Sequence, residues 1–122
     1  MTLSKPAVEV PAGPAPTDLE ITDIAVGDGP EATPGQRVSV QYVGVAYSTG
    51  KEFDSSWSRN EEFTTNIGVG SVIPGWDQGL VGKTVGSRVQ LDIPADLAYG
   101  TDTSSGQPAG DLRFVVDILA AA

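Results

Sequence analysis

Three aromatic residues stand in an otherwise polar stretch, EFDSSWSRNEEF at 52–63, and their side chains suggest a binding site. Phe53, Trp57 and Phe63 are separated by charged residues, serines and Asn60 and do not form a regular apolar run. Burying one such ring yields about 1.5 to 3 kcal/mol relative to leaving it exposed. Three of them on a surface loop would therefore be unfavourable, and we expect these rings to line a pocket for an apolar group.

The residue types that most often carry covalent catalysis are absent. The chain has no histidine and no cysteine, which removes the commonest general base and metal ligand and any thiolate nucleophile. Asp54 with Asp92 or Asp96 could suggest a glycosidase, but that chemistry needs two carboxyl groups across a polar sugar cleft, whereas Asp54 adjoins the apolar ring of Phe53. Thr101, Asp102 and the following serines do not fit an EF-hand. No metal and no cofactor is expected.

Composition limits the partners of this 122-residue chain, which is long enough for one domain. Sixteen acidic against seven basic residues give a net charge of −9, which repels phosphate backbones and anionic membranes. The acidic residues are scattered, so a solvated surface is favoured over an acidic recognition patch. No window approaches the roughly 18 apolar residues of a membrane span, and the absence of cysteine fits a reducing compartment. We expect a cytoplasmic protein that binds neither nucleic acid nor membrane.

Alternating apolar positions predict that most of the chain forms antiparallel β-structure. This two-residue period is typical of half-buried strands. It recurs in five segments, which begin near Leu19, Val38, Phe63, Val89 and Leu112. The apolar parity changes near Gly44, which predicts a β-bulge, and the turn STGK at 48–51 predicts a further strand from about Glu52.

One helix is predicted, over Pro74–Val81, where proline is tolerated in the first turn and Trp76 and Leu80 lie one turn apart. A helix this short is marginal in water. It must be stabilised by packing Trp76 and Leu80 on the sheet, which predicts an α+β layer. Residues 1–17 hold four of the nine prolines without an apolar period, so we expect a loosely ordered arm there and a domain over 18–122.

Four motifs in order, QYVGVAYSTGKEFDSS, SVIPGWDQGL, PADLAYG and LRFVVDI, resemble the FKBP-type peptidyl-prolyl cis-trans isomerases. The resemblance runs from about Leu19 to Leu119, and the motifs together are far more specific than any one alone. It implies a strongly twisted five-stranded antiparallel sheet wrapped around one short helix, with an apolar pocket between them. It also implies a bacterial single-domain isomerase that acts on proline-containing peptides and unfolded proteins as a monomer.

The resemblance also implies which residues form the site. The expected catalytic residues are Tyr42, Phe53, Asp54, Trp76, Tyr99 and Phe114, with the indole of Trp76 as the pocket floor. The expected substrate-binding residues are Phe63, Val72, Ile73 and Arg59. In the family arrangement the backbone N–H of Ile73 and the hydroxyl of Tyr99 hold substrate carbonyls.

Several of these assignments have a plainer alternative. Trp76 could serve only to pack the helix on the sheet, and Tyr42 and Phe114 would be assigned to the core from strand parity alone. Asp54 either lies beside Tyr42 and Arg59 in the site or caps its own turn. Trp57 has no family role to transfer, so it either caps its loop or is exposed.

The chain departs from the family pattern after AYG, where it reads TDTSSGQPAGDL and only Pro108 matches. Thr65 stands where many relatives have an aromatic residue. Small polar residues in place of apolar ones remove part of one pocket wall. We therefore expect retained catalysis with altered peptide selectivity, and an altered affinity for macrolides such as rapamycin.

Two other functions stay open at this point. A non-catalytic module could use the same pocket to bind a proline-containing peptide or a macrolide without accelerating rotation. A small β-domain without any pocket is the third hypothesis. The first two need the same aromatic residues and differ only in whether the bound amide twists.

Overall fold

The computed structural model describes residues 5–10, 16–47, 49–59, 61–99 and 110–122. Six strands and one α-helix form in this part of the chain, together with a 3₁₀ turn at Ala95–Leu97. The elements are β1 Glu20–Ala25, β2 Arg37–Ala46, β3 Glu52–Ser55, β4 Phe63–Asn66, α1 Pro74–Leu80, β5 Arg88–Ile93 and β6 Leu112–Ala121.

All strand pairs are antiparallel, in the order β1-β5-β6-β2-β3, with β4 also pairing with β2. The predicted α+β fold, a twisted antiparallel sheet with one short helix, is confirmed. Six strands are present, which matches the five periodic segments together with the further strand predicted near Glu52. The family resemblance implied five; β3 and β4 are separate short strands on the same edge of β2. The predicted bulge is confirmed as a register shift between Gly44 and Val45.

The core lies between one face of the sheet and α1. Alternate residues of β2, β5 and β6 point into it, together with two helix residues. All are almost fully buried, because the apolar side chains of these strands alternate so that they lie on this face. They are Val38, Val40, Tyr42, Val89, Leu91, Ile93, Leu112, Phe114, Val116, Ile118, Trp76 and Leu80.

Two glycines let the helix approach β5 closely. A Cβ atom on Gly75 would lie 2.5 Å from the Ile93 side chain, and one on Gly79 would lie 2.6 Å from Leu91. The helix ends at Leu80, one residue before the predicted end, because Val81 is already extended with ψ of 129°. The helix is thus seated directly on the sheet, with Trp76 pressed into the core.

Two ion pairs link neighbouring strands of the sheet. Arg88 Nε lies 2.7 Å from Asp117 Oδ1, and Arg113 Nε lies 2.6 Å from Asp92 Oδ1. Both carboxylates are almost completely buried. Asp92 is thus used in an ion pair between β5 and β6.

The described part of the N-terminal arm lies against the outer face of the sheet. Residues 5–9, together with Val43 and Val45, line a hollow on this face, and both valines are only 2% exposed although they lie outside the main core. Lys5 Nζ lies 2.8 Å from Glu52 Oε1, and Arg113 donates a 2.6 Å hydrogen bond to the carbonyl oxygen of Glu9. Residues 5–10 therefore contact the domain, while 1–4 and 11–15 lie outside the described residues.

No helix of the described residues has the length and apolarity needed to cross a membrane. Within the same ranges, no cluster of three or more acidic side chains is arranged to hold a metal ion.

Candidate active site

An open cavity of about 400 Å³ lies between the helix and the sheet. This size is typical of a small-molecule site. Its lining includes residues of β2, β4, α1, β6 and two loops, namely Tyr42, Phe63, Ser71, Val72, Ile73, Trp76, Tyr99 and Phe114. Seven of these eight were expected from the sequence, and Ser71 was not. The cavity argues against a β-domain without a pocket.

Trp76 forms the floor and is 4% exposed. Tyr42, Phe114 and Phe63 meet it nearly edge-on, with ring centroids 5.2, 5.4 and 6.0 Å from that of the indole. Such edge-to-face pairs are favourable because the positive edge of one ring faces the negative face of another. Trp76 therefore packs the helix on the sheet and lines the cavity at once, so the two interpretations of this residue coincide.

A polar network stands at one side of the cavity. The hydroxyl of Tyr42 donates to Asp54 Oδ2 at 2.5 Å and accepts from Arg59 Nη2 at 2.9 Å, while Arg59 Nη1 also donates to Asp54. The guanidinium carbon of Arg59 lies 5.6 Å from the Tyr42 ring centroid, a cation–π contact. Burial, and then the bond to Asp54, raise the pKa of Tyr42 above its usual value, with Arg59 acting in the opposite direction. The phenol is thus held neutral in a fixed orientation.

Asp54 makes the contacts of both alternatives that the sequence left open. Its Oδ2 accepts from Tyr42, and its Oδ1 accepts from the backbone N–H of Ser55 at 2.9 Å, as in a local turn. Neither Asp54 nor Arg59 is among the residues that line the cavity. Both contact a lining residue, Tyr42, through its hydroxyl.

Ser56 fastens this loop to β2, a role that the sequence analysis missed. It is fully buried, and its Oγ accepts from the backbone N–H of Tyr42 at 2.7 Å and donates to Gln41 Oε1 at 2.5 Å. Its own N–H donates to the Tyr42 carbonyl at 3.0 Å. Two serines directly after Asp54 were the available sign, because short hydroxyl side chains often bond to nearby backbone.

The three aromatic residues of 52–63 occupy different positions relative to the cavity. Phe63 lines the cavity, whereas Phe53 lies behind it, with its ring edge-on to Phe114 at 5.6 Å. Trp57 is half-buried away from the cavity lining, and within the described residues its buried Nε1 has no hydrogen-bond partner. One ring of the three lines the cavity and a second supports a lining residue.

The opposite wall comes from the loop before α1 and from Tyr99. Ser71, Val72 and Ile73 line the cavity, and no hydrogen bond to the N–H of Ile73 is formed within the described residues. Tyr99 is 39% exposed at the rim, and burial, followed by the charge of Asp54, raises its pKa. An apolar basin with the N–H of Ile73 and the hydroxyl of Tyr99 beside it can bind a ring and orient carbonyl groups.

Of the two expected departures from the family pattern, Thr65 lies within the described residues. Thr65 is half-buried on β4 opposite Val38, outside the cavity lining. The loop at 101–110, including Pro108, lies outside the described residues except for Gly110. Its expected effect on selectivity stays a prediction.

Comparison with known proteins gives consistent matches. A family profile described as FKBP-type peptidyl-prolyl cis-trans isomerase matches residues 29–119. An FK506-binding protein of Streptomyces anulatus is 52% identical over 123 residues, covering 98% of this chain and 99% of the relative. A probable FK506-binding protein of Corynebacterium glutamicum is 48% identical, covering 98% and 100%. The crystal structure of AtFKBP13 is similar, with a TM-score of 0.77 and 39% identity over 88% of this chain and 96% of that one.

Proposed function

Because this chain belongs to the FKBP-type peptidyl-prolyl cis-trans isomerases, we propose that the cavity above Trp76 is where it turns X-Pro bonds during protein folding. The chain is an enzyme of this type, and the proposal concerns its site and mechanism. The observation that carries it is the open, aromatic cavity of about 400 Å³, which has room for a proline ring on the indole. Proline-containing peptides and unfolded proteins are the proposed substrates.

The proposed mechanism is removal of water from the rotating amide. Rotation faces a barrier of about 18 to 20 kcal/mol because twisting destroys the resonance of the C–N bond. The planar amide is the more dipolar form, so a dry apolar site favours the twisted form relative to it. That preference is differential binding of the transition state, and each 1.36 kcal/mol of it is about tenfold in rate. No nucleophile, metal or cofactor takes part.

Orientation supplements this effect. The N–H of Ile73 and the hydroxyl of Tyr99 are proposed to hold the carbonyl groups on either side of the proline. The Tyr42–Asp54–Arg59 network keeps the Tyr42 ring in place beside Trp76. Tyr42, Asp54, Trp76, Tyr99 and Phe114 thus keep their proposed catalytic roles, with Asp54 acting through Tyr42.

The same cavity is proposed to bind macrolides of the FK506 type, since two relatives that align over almost their full length carry the name FK506-binding protein. Those relatives are bacterial proteins. A cytoplasmic location and a monomeric state stay predictions.

The decisive experiment measures cis/trans exchange in a short X-Pro peptide by NMR, with and without the protein. We expect faster exchange that is suppressed by added FK506. If the peptide binds and its exchange rate stays unchanged, the protein is a binding module and the catalytic proposal is wrong.

We expect kcat/KM to vary less than about twofold between pH 6 and 9. The chain has no histidine or cysteine, and both tyrosines of the site have a pKa raised above the usual 10.0. A raised folded-state pKa means that the folded protein holds these protons longer than the unfolded chain. Stability from these groups is therefore present below pH 10 and lost as the pH rises further. A fall in kcat/KM between pH 6 and 8 would reveal a titrating catalytic group and contradict the mechanism.

Truncation of Phe53 is expected to affect activity more than stability. Phe53→Ala removes the ring that supports Phe114, so kcat/KM should fall about tenfold, which corresponds to about 1.4 kcal/mol. Because Phe53 is only half-buried, it should cost less stability than Leu91→Ala, where loss of a fully buried leucine costs about 2 to 5 kcal/mol. Urea unfolding and peptide exchange on both variants provide the comparison. An unchanged kcat/KM would count against a supporting role for Phe53, and equal losses of stability would contradict the expected difference from Leu91→Ala.

A further inference from the structure

The loop that connects β4 to α1 is fastened by a single carboxylate. Asp77, in the helix, accepts a hydrogen bond from the N–H of Gly68 at 2.8 Å on Oδ1 and one from the N–H of Gly70 at 2.9 Å on Oδ2. Within the described residues these are the only hydrogen bonds formed by the backbone N–H groups of 68–73. Both carboxylate oxygens are thus used on one short loop.

The backbone conformation of the loop suits this carboxylate. Gly68 and Gly70 have φ of +75° and +80°, in the left-handed region that favours glycine. Left-handed residues can turn nearby N–H groups to one side, where they form a concavity for an anion. Behind the loop, a Cβ atom on Gly68 would lie 3.1 Å from Pro34. The loop is therefore held between Pro34 and the charge of Asp77.

The three residues that follow this fastened segment form the cavity wall. Ser71, Val72 and Ile73 all line it. The carbonyl of Ile73 accepts from the N–H of Trp76 at 2.9 Å and from the N–H of Asp77 at 3.2 Å. Asp77 therefore holds the wall at both ends, through its side chain before Ser71 and through its backbone after Val72.

We propose that Asp77 is a positioning residue for the isomerase reaction, fixing the wall so that the N–H of Ile73 meets the substrate carbonyl. This inference rests on the function proposed above for the cavity. Asp77 does not touch substrate in this arrangement. A purely structural role is the alternative, in which the loop bonds contribute to stability and the reaction is indifferent to them.

The test replaces Asp77 by asparagine, which keeps the shape but has one acceptor oxygen. Its amide N–H₂ would face one of the two glycine N–H groups, so one bond is lost and the charge with it. Hydrogen bonds to charged groups are strong, so we expect kcat to fall roughly tenfold, while KM changes less than about twofold. The matched control is Asp23→Asn, which breaks a surface ion pair with Lys83 and should leave kcat unchanged.

Two further measurements separate positioning from stability. In Asp77→Asn the amide of Gly68 or Gly70 should exchange with solvent about tenfold faster, and Asp77→Glu, which keeps both oxygens, should recover most of kcat. Faster amide exchange with an unchanged kcat would overturn the proposal. If Asp77→Asn does not fold, amide exchange of the wild-type protein tests the proposal instead. Amides of Gly68 and Gly70 that exchange as fast as that of Val69 would show that Asp77 does not hold them, and the proposal would be wrong.

The proposed function can fail separately. If the wild-type protein binds the X-Pro peptide without accelerating its exchange, the catalytic proposal is wrong. The peptide's Kd then replaces kcat as the readout for Asp77. An unchanged Kd in Asp77→Asn would reject a positioning role, and a Kd that rises roughly tenfold would support it for binding.

Discussion

Replacing Trp76 by leucine is expected to lower kcat/KM at least tenfold, the largest effect on activity among single changes at the site. Leucine removes the flat floor on which the proline ring is proposed to lie. It also removes edge-to-face contacts with Tyr42, Phe114 and Phe63, each worth about 0.5 to 1.5 kcal/mol. A loss of about 2 to 4 kcal/mol in the free energy of unfolding should accompany the loss of activity.

The control for this variant is Trp57→Leu, which changes the chain's other tryptophan away from the cavity lining. Its kcat/KM should stay within about threefold of the wild-type value, as expected for a residue that does not touch substrate. Both variants are compared at a temperature where urea unfolding shows them fully folded. A folded Trp76→Leu protein with wild-type kcat/KM would mean that catalysis occurs elsewhere.

Gly44→Ala is expected to destabilise the fold by about 1 to 3 kcal/mol, the cost of overpacking a core, and to lower kcat/KM about tenfold. A Cβ atom at this position would lie 2.7 Å from ring carbons of both Phe53 and Phe114. No real side chain tolerates that distance, so the rings must move. Since Phe114 lines the cavity, the wall should be displaced towards the substrate.

Phe53→Leu in the Gly44→Ala background tests this explanation. Leucine lacks the distal ring carbon of Phe53 that the new methyl group would strike, so part of the lost stability should return. Urea unfolding of the single and double variants gives the coupling energy. Additive effects would show that the two positions do not clash and would contradict the packing argument.

Much of this fold follows from periodicity in the sequence. Strand faces alternate, so the apolar parity of Val38, Val40 and Tyr42 predicts the core side of β2, and the change of parity near Gly44 predicts its bulge. The helix was predictable because Trp76 and Leu80 are one turn apart and Pro74 suits a first turn. The cavity residues themselves came from the family resemblance, because aromatic core and aromatic pocket have the same pattern.

The features that the sequence analysis missed depend on contacts between distant segments. Nothing in the local sequence distinguishes Asp77 from an ordinary acidic residue in the first turn of a helix. Its partners are backbone N–H groups seven and nine residues away. Phe53 and Phe63 look alike in sequence, but only Phe63 reaches the cavity.

The contact between residues 5–9 and the sheet is a different case, because the sequence of β2 did indicate it. Val43 and Val45 place apolar side chains on the second face of β2. An apolar second face requires a cover. Residues 5–9 lie beside these valines, and the loosely ordered arm over residues 1–17 stays a prediction.

The central position of β6 has a consequence for how the protein is made. This strand joins β5 on one side to β2 on the other, and its partners in β2 precede it by about seventy residues in the chain (for example, Tyr42 pairs with Val116). Until the ribosome has translated residues 112–121, the nascent polypeptide holds two unconnected half-sheets. Such distant pairing slows folding, so the unpaired edges of β5 and β2 should remain open to chaperones until β6 has been made.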